Sequence, residues 1–114
     1  MNIKSPRPTD IPALKNLWKE AFGDGDEFLN AFFETAYSKD RALMAEEKGE
    51  ILGVLYWFDC ELDGKKSAYV YAVATAKKHR GKGVCHKLME HTHRYLADNG
   101  YKGVVLVPGE NTLF

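Results

Sequence analysis

Apolar residues in the first third of the chain recur at intervals of three and four. Ile11, Leu14, Leu17, Trp18 and Phe22 form one stripe, and Phe28, Leu29, Phe32, Phe33 and Tyr37 form a second. This spacing predicts two amphipathic helices, with Gly23-Asp24-Gly25-Asp26 as the break between them. Thr9 or Asp10 stands where a cap for the first helix belongs, and Pro12 is tolerated in its opening turn. Asn2 to Lys4, stopped by Pro6 and Pro8, predicts a short first strand. After Ser38-Lys39-Asp40 the period changes to that of strands. Ala42-Leu43-Met44-Ala45 is a short apolar run, Glu47-Lys48-Gly49-Glu50 reads as a turn, and Ile51 to Cys60 is a nearly unbroken apolar and aromatic strand. Leu62-Asp63-Gly64-Lys65 turns again into Ser67 to Thr75, so these three strands predict an antiparallel meander. A helix from Val84 to Asp98 follows, with Val84, Leu88, Tyr95 and Leu96 facing inward and Asn99-Gly100 as a left-handed cap. Gly103 to Val107 predicts a last buried strand, parallel to the third because a helix connects the two. The fold class expected is α/β: a mixed, mainly antiparallel sheet of about five strands with flanking helices.

Composition narrows the range of functions. The 114 residues fit a single domain, and 45% hydrophobic with 12% aromatic content suffices for a core. Sixteen Lys plus Arg balance sixteen Asp plus Glu, so no net field draws the molecule to nucleic acid or to an anionic membrane; any anion site must be a local cluster. No apolar run approaches a membrane span and Met1-Asn2-Ile3-Lys4 does not begin a signal peptide, so a cytoplasmic protein is expected. Cys60 and Cys85 are far apart and outside any CxxC spacing, which indicates neither a disulfide framework nor a Cys-rich zinc site.

Candidate chemistry concentrates between the third strand and the following helix, at Thr75-Ala76-Lys77-Lys78-His79-Arg80-Gly81-Lys82-Gly83-Val84-Cys85-His86. Gly81 and Gly83 permit positive φ and close approach of a ligand to the backbone, and the helix start offers unpaired N–H groups at the positive end of its dipole. Lys77, Lys78, Arg80, Lys82 and Lys87 add positive charge suited to a polyphosphate. A solvated basic turn explains the charge alone; glycines at the helix start favour phosphate binding. GxxxxGK followed by Ser or Thr is absent, and so is the third small residue of a dinucleotide fingerprint.

Arg80-Gly81-Lys82-Gly83-Val84-Cys85 resembles the acyl-CoA loop of the GNAT N-acetyltransferase superfamily, in which Arg or Gln is followed by two residues, Gly, one residue, then Gly or Ala. The resemblance runs from Ile3 through the meander to Val107. It implies an acyl-CoA N-acyltransferase-like fold, acetyl-CoA as the acyl donor, and a small-molecule or peptide amine as acceptor. By the same resemblance the amides of Arg80, Gly81, Lys82, Gly83, Val84 and Cys85 hold the CoA pyrophosphate, and the backbone of Val73, Ala74 and Thr75 pairs with the pantetheine arm. The implied reaction is direct attack of an amine on the thioester in a ternary complex. Cys85 stands where the family usually has Gly or Ala, and Glu110 and Asn111 fall near a family Asn that touches CoA. The family's usual C-terminal helix, strands and general-acid tyrosine have no counterpart, which implies a C-terminally truncated domain over 1–114. A catalytically silent CoA-binding or dimerising module, paired through an exposed C-terminal sheet edge, is therefore a competing expectation. A fold relative taking another phosphorylated ligand through the same loop is a third.

No catalytic residue is assigned from the sequence. The third strand offers no carboxylate as a general base, only Tyr69 and Tyr71, and Tyr71 reads as half-buried packing before acceptor lining. Asp59 and Glu61 suit a cationic amine but also read as solvated residues near a turn. His86, Glu90 and His93 share a helical stripe with His91 close by; a polar helix face accounts for them without a metal. At a helix start among basic residues the Cys85 thiol pKa would fall, whereas as a small packed residue it is inert, and packing is the favoured reading. Trp18, Phe22, Phe28, Phe32 and Phe33 read as core or cleft wall rather than a base-stacking platform, as do Trp57 and Phe58.

Overall fold

A computed structural model describes residues 1–106. Five strands, β1 (Asn2–Lys4), β2 (Ala42–Glu47), β3 (Glu50–Leu62), β4 (Lys65–Thr75) and β5 (Gly103–Leu106), form one sheet in the order β1-β2-β3-β4-β5. All neighbours are antiparallel except β4 and β5, which are parallel and joined through α3 (Val84–Asp98). Helices α1 (Ile11–Phe22) and α2 (Asp26–Thr35) lie between β1 and β2 in the chain. The fold is the mixed, mostly antiparallel sheet with flanking helices that the sequence predicts.

Local chemistry sets the turns. Lys48-Gly49 and Asp63-Gly64 all have positive φ (52°, 78°, 52° and 74°), the left-handed pair that matches a two-residue hairpin to the twist of its strands. Gly23, at φ 76°, ends α1 and donates its N–H to Lys19 O at 2.9 Å.

Alternation along the strands sends side chains to two cores. Ala42, Met44, Val54, Tyr56, Ala72 and Ala74 pack against Leu14, Trp18, Leu29 and Phe32 of α1 and α2. Leu43, Leu55, Trp57, Ala68 and Val70 meet Leu88 and Leu96 of α3 on the other face. In β4 the phase inverts midway. Tyr56 pairs with Ala72 and Trp57 with Val70, so Tyr71 bulges out of register. Val70 therefore faces α3 while Ala72 faces α1 and α2, which a strict period of two would forbid.

Four expectations change. Neither Thr9 nor Asp10 caps α1 through its side chain; the Asp10 carboxylate instead accepts from the Arg7 N–H at 2.8 Å and from Arg7 Nε at 3.1 Å. Phe28 is exposed, lying over Trp18 and Phe32 rather than beneath them. Tyr37 falls beyond the end of α2, although it still packs on Phe33 and Tyr56. β5 is half-buried rather than buried, with Leu106 49% exposed, because it is the edge of the described sheet. Val107, Glu110 and Asn111 lie outside the described residues.

Arg7 ties the loop before α1 to the sheet, since its guanidinium also contacts Glu46 Oε2 of β2 at 2.8 Å. Its hydrogen bonds hold the Asp10 carboxyl below the usual carboxylate range. A depressed folded pKa contributes stability that is complete above the unfolded value of about 4 and lost as pH falls through the lower folded value. Asp10→Asn is expected to lower stability by about 1 kcal/mol at neutral pH. In urea melts from neutral to acid pH the gap from the native chain closes as pH falls; a constant gap would mean the charge is not what matters.

Candidate functional site

Where β4 ends, the chain crosses to α3 through a loop fixed from both sides. Ala76 N–H donates to Leu52 O of β3 at 2.8 Å, and Lys77 N–H donates to the Glu20 carboxylate of α1. Lys78 Nζ pairs with Glu50 of β3, and His79 Nε2 lies 3.3 Å from the other oxygen of the same carboxylate. The Lys78 ammonium is the main reason the Glu50 carboxyl is held below its ordinary value. Three successive loop residues are thus anchored by two acidic side chains that lie far away in sequence.

This corrects the picture of five basic residues around one anion site. Lys78 is engaged by Glu50, and Lys77 and Lys78 line a separate surface hollow with Asn16 and Glu20 of α1. Arg80 turns back on the strand, its Nε donating to Thr75 O at 3.3 Å. Lys82 Nζ lies 3.4 Å from His79 Nδ1.

Beyond the anchors, the backbone takes the shape that the glycines were expected to allow. Gly81 and Gly83 have φ of 83° and 77°, and a Cβ on either would meet nothing within 4 Å; conformation, not room, requires glycine there. Gly83 is the N-cap of α3 and no side chain caps the helix. The first intrahelical bond at this end is Lys87 N–H to Gly83 O at 3.1 Å, so the preceding amides of Val84, Cys85 and His86 remain available to an anion.

A cleft of about 530 Å³ opens at this helix end, lined by Thr75, His79, Gly81, Gly83 and Cys85 and closed by Met89 and Leu106. Thr75 Oγ1 and one terminal nitrogen of Arg80, both buried here, have no hydrogen-bond partner among the described residues. Buried polar groups are ordinarily paired, so such atoms beside a cleft suit a polar ligand. Beside the cleft, the described pairing of β4 with β5 runs from Ser67 to Val70. The far edge of Val73, Ala74 and Thr75, which are paired with β3 on their other side, has no strand partner among the described residues.

Gly53 of β3 is the residue that sequence reasoning missed. It pairs with Ala45 and Thr75, and a Cβ there would lie 3.0 Å from Ala74 O and 3.2 Å from Val84 Cγ1. A bare backbone at this point lets the first turn of α3 settle on the sheet. The only signal was a glycine inside an apolar strand, where close approach of another backbone is one meaning.

Other candidates resolve into structure. Cys85 is buried, and burial pushes its thiol pKa up rather than down, which matches packing and not reactivity. Both cysteines are free. Asp59 accepts a hydrogen bond from the Tyr101 hydroxyl, and Trp57 Nε1 donates to that hydroxyl at 3.4 Å. Tyr71 stacks on Phe58 with ring centroids 4.3 Å apart, and burial raises its pKa. His86 and Glu90 form an exposed pair, 3.4 Å between Nε2 and Oε2. Among the described residues no group of three His, Cys, Asp or Glu is placed to hold a metal ion, and no helix is long and apolar enough to cross a membrane.

Comparison with known proteins is consistent with this geometry. The family model described as acetyltransferase (GNAT) domain matches residues 2–113. No curated protein matches the sequence. Among solved structures the chain is similar to a ribosomal-protein-alanine N-acetyltransferase from Brucella melitensis biovar Abortus 2308, with TM-score 0.81 and 16% identity over 98% of this chain and 82% of that one. It is similar also to a GNAT family acetyltransferase from Brucella melitensis in complex with acetyl-CoA, with TM-score 0.73 and 21% identity over 97% and 77% of the two chains. An aminoglycoside acetyltransferase from an uncultured soil metagenomic sample gives TM-score 0.74 and 24% identity over 97% and 81%.

Gly53→Ala is expected to lower stability by roughly 1–3 kcal/mol, because backbone and Val84 must both shift. Hydrogen exchange at Val84 to Leu88 should quicken beyond what the lost global stability explains. A Gly53→Ala chain with native melting temperature and native exchange there would refute the close approach as the support of α3.

Proposed function

The chain belongs to the acetyltransferase (GNAT) domain family, and from that premise we propose that it moves the acetyl group of acetyl-CoA to a primary amine. The observation that carries this reading is the uncapped start of α3 behind Gly81 and Gly83, with the unpartnered nitrogen of Arg80 and hydroxyl of Thr75 beside it. In this reading the amides from Arg80 to Cys85 receive the donor's pyrophosphate, with the helix dipole behind them. The pantetheine arm adds to the edge of Val73, Ala74 and Thr75 as an extra strand.

The thioester carbonyl then lies in the splay between β4 and β5, and backbone N–H groups there stabilise its developing negative charge. The amine lone pair forms the new C–N bond, the tetrahedral intermediate expels the CoA thiolate, and the C–S bond breaks. The proton lost by the amine leaves to water, and the thiolate takes up a proton. No covalent enzyme intermediate is involved. Acceptors of the amine class are supported by similar proteins whose names place their acetyl transfer on aminoglycosides and on a ribosomal-protein alanine. The whole chain is read as a single transferase domain, acting in the cytoplasm.

A second reading, a catalytically silent CoA-binding module that dimerises through β5, is favoured by the half-buried edge and exposed Leu106. Turnover separates the two, because both readings include donor binding.

Calorimetric titration of the 114-residue chain with acetyl-CoA, in reductant and moderate salt, is expected to show micromolar binding. Arg80→Gln with Lys82→Gln should weaken it and flatten its salt dependence, while an unchanged slope would remove the charges from the site. Gly83→Val, forced to φ near 77°, should abolish binding with the fold retained. A folded chain that binds no acetyl-CoA contradicts the reading, and release of CoA thiol only when an amine is supplied supports transfer over silent binding.

A further inference from the structure

β4 breaks its alternation at Tyr71, beside the place assigned to the thioester. Tyr71 has no partner across the sheet, since Tyr56 pairs with Ala72 and Trp57 with Val70. It separates two stretches of β4: Ser67 to Val70, paired with β5, and Val73 to Thr75, read above as the edge for the pantetheine arm. Its ring packs against the α1 and α2 core, whereas the donor cleft, with Cys85 and Met89 in its wall, lies on the α3 face. A bulge in such a place re-aims a side chain.

Tyr71 belongs to a continuous aromatic surface. It stacks on Phe58, with centroids 4.3 Å apart and planes 14° from parallel, and meets Phe32 at 5.6 Å. Phe32 meets Phe33 at 5.1 Å, and Phe33 meets Tyr37 at 5.0 Å. Phe33, Tyr37, Phe58 and Tyr71 are only partly buried, and contiguous apolar surface of this kind marks a binding face. Among these rings the Tyr56 hydroxyl is buried with no hydrogen-bond partner among the described residues; its ring centroid is 6.2 Å from that of Tyr37 and 6.0 Å from that of Tyr71. Buried hydroxyls are ordinarily paired, so this one suits a polar ligand atom.

Charge narrows the occupant. The Lys15 ammonium lies 5.9 Å from the Phe33 centroid, and Arg41 is near enough to Tyr71 for its charge to favour the phenolate. Asp40 acts on Tyr37 in the opposite sense, and Asp10, which does so too, is engaged by Arg7. Cations thus balance carboxylates around the rings, which is no cleft for a polycation. Ring faces suit a second ring and a single ammonium.

We propose that this aromatic face seats the acceptor, and that the acceptor is an arylalkyl monoamine, its ring against Tyr71 and its amine directed into the splay between β4 and β5. The inference rests on the transfer reading above and names the substrate class for it. Donor and acceptor then reach the splay from opposite faces of the sheet. Tyr71 is a specificity residue for the acceptor and moves no proton.

The test follows thiol release from acetyl-CoA by the full chain with three acceptors: phenethylamine, kanamycin as an aminoglycoside, and a peptide with an N-terminal alanine. Phenethylamine is expected to give a kcat/KM about tenfold or more above the other two, the worth of one good ring contact. Tyr71→Leu, which keeps apolar bulk, should raise the KM for phenethylamine about tenfold, the loss falling on KM rather than on kcat, as for a binding contact. Tyr71→Phe, which keeps the ring, should recover most of that loss. Kanamycin or the peptide used as well as phenethylamine by the native chain, or a phenethylamine KM that survives Tyr71→Leu, overturns the acceptor assignment and leaves the transferase reading standing. A folded chain that binds acetyl-CoA but releases no thiol with any of the three overturns the transfer reading, and the acceptor with it.

Discussion

The first turn of α3 rests on β3 at a point where β3 carries no side chain, and the site takes its shape from that contact. Val84 lies where the Cβ of any other residue at position 53 would crowd it, and Gly53 is itself held between Ala45 and Thr75 by the sheet. Seating the helix there brings its uncapped amides level with the end of β4. Leu88 and Leu96 then continue the contact along the sheet, so a polar helix terminus is fixed by an apolar face further down the same helix. Burial of that face provides the free energy that holds unsatisfied N–H groups in place.

Charge works in the same arrangement by subtraction. Glu20 and Glu50 occupy the Lys77 amide and the side chains of Lys78 and His79, and neither pairs with Arg80, Lys82 or Lys87. A turn in which every lysine were free would attract anions diffusely. Anchoring the first half of the loop lowers the conformational entropy that a ligand would otherwise have to remove, which is what preorganisation means for a glycine-containing loop. Gly81 and Gly83 set the backbone path, the two glutamates limit its wandering, and the Thr75 hydroxyl and Arg80 nitrogen are polar atoms without a partner among the described residues.

Features carried by near neighbours in the chain were legible in the sequence. The period change after Ser38, the Asp63-Gly64 turn and the helix from Val84 to Asp98 all depend on residues within a few positions of one another, and each stands as expected. So does the glycine loop, because positive φ is a local requirement. What escaped was set by distant partners. The bulge at Tyr71 could not be read, since β4 is apolar on both faces and its alternation carries no phase. Lys77 and Lys78 looked equivalent to Lys82 because their partners, Glu20 and Glu50, come from other elements. Cys85, by contrast, reads from the sequence as a small packed residue, and burial raises its thiol pKa as that reading expects.

The central claim is that the amides at the start of α3 receive the donor's phosphates, and amide shifts in a titration with CoA test it most directly. The account predicts that the largest changes fall on the N–H groups of Gly81 to His86, with smaller ones along Val73 to Thr75, and that α1 and α2 stay nearly still. Changes spread over surface lysines, with Gly81 to His86 unmoved, would contradict it.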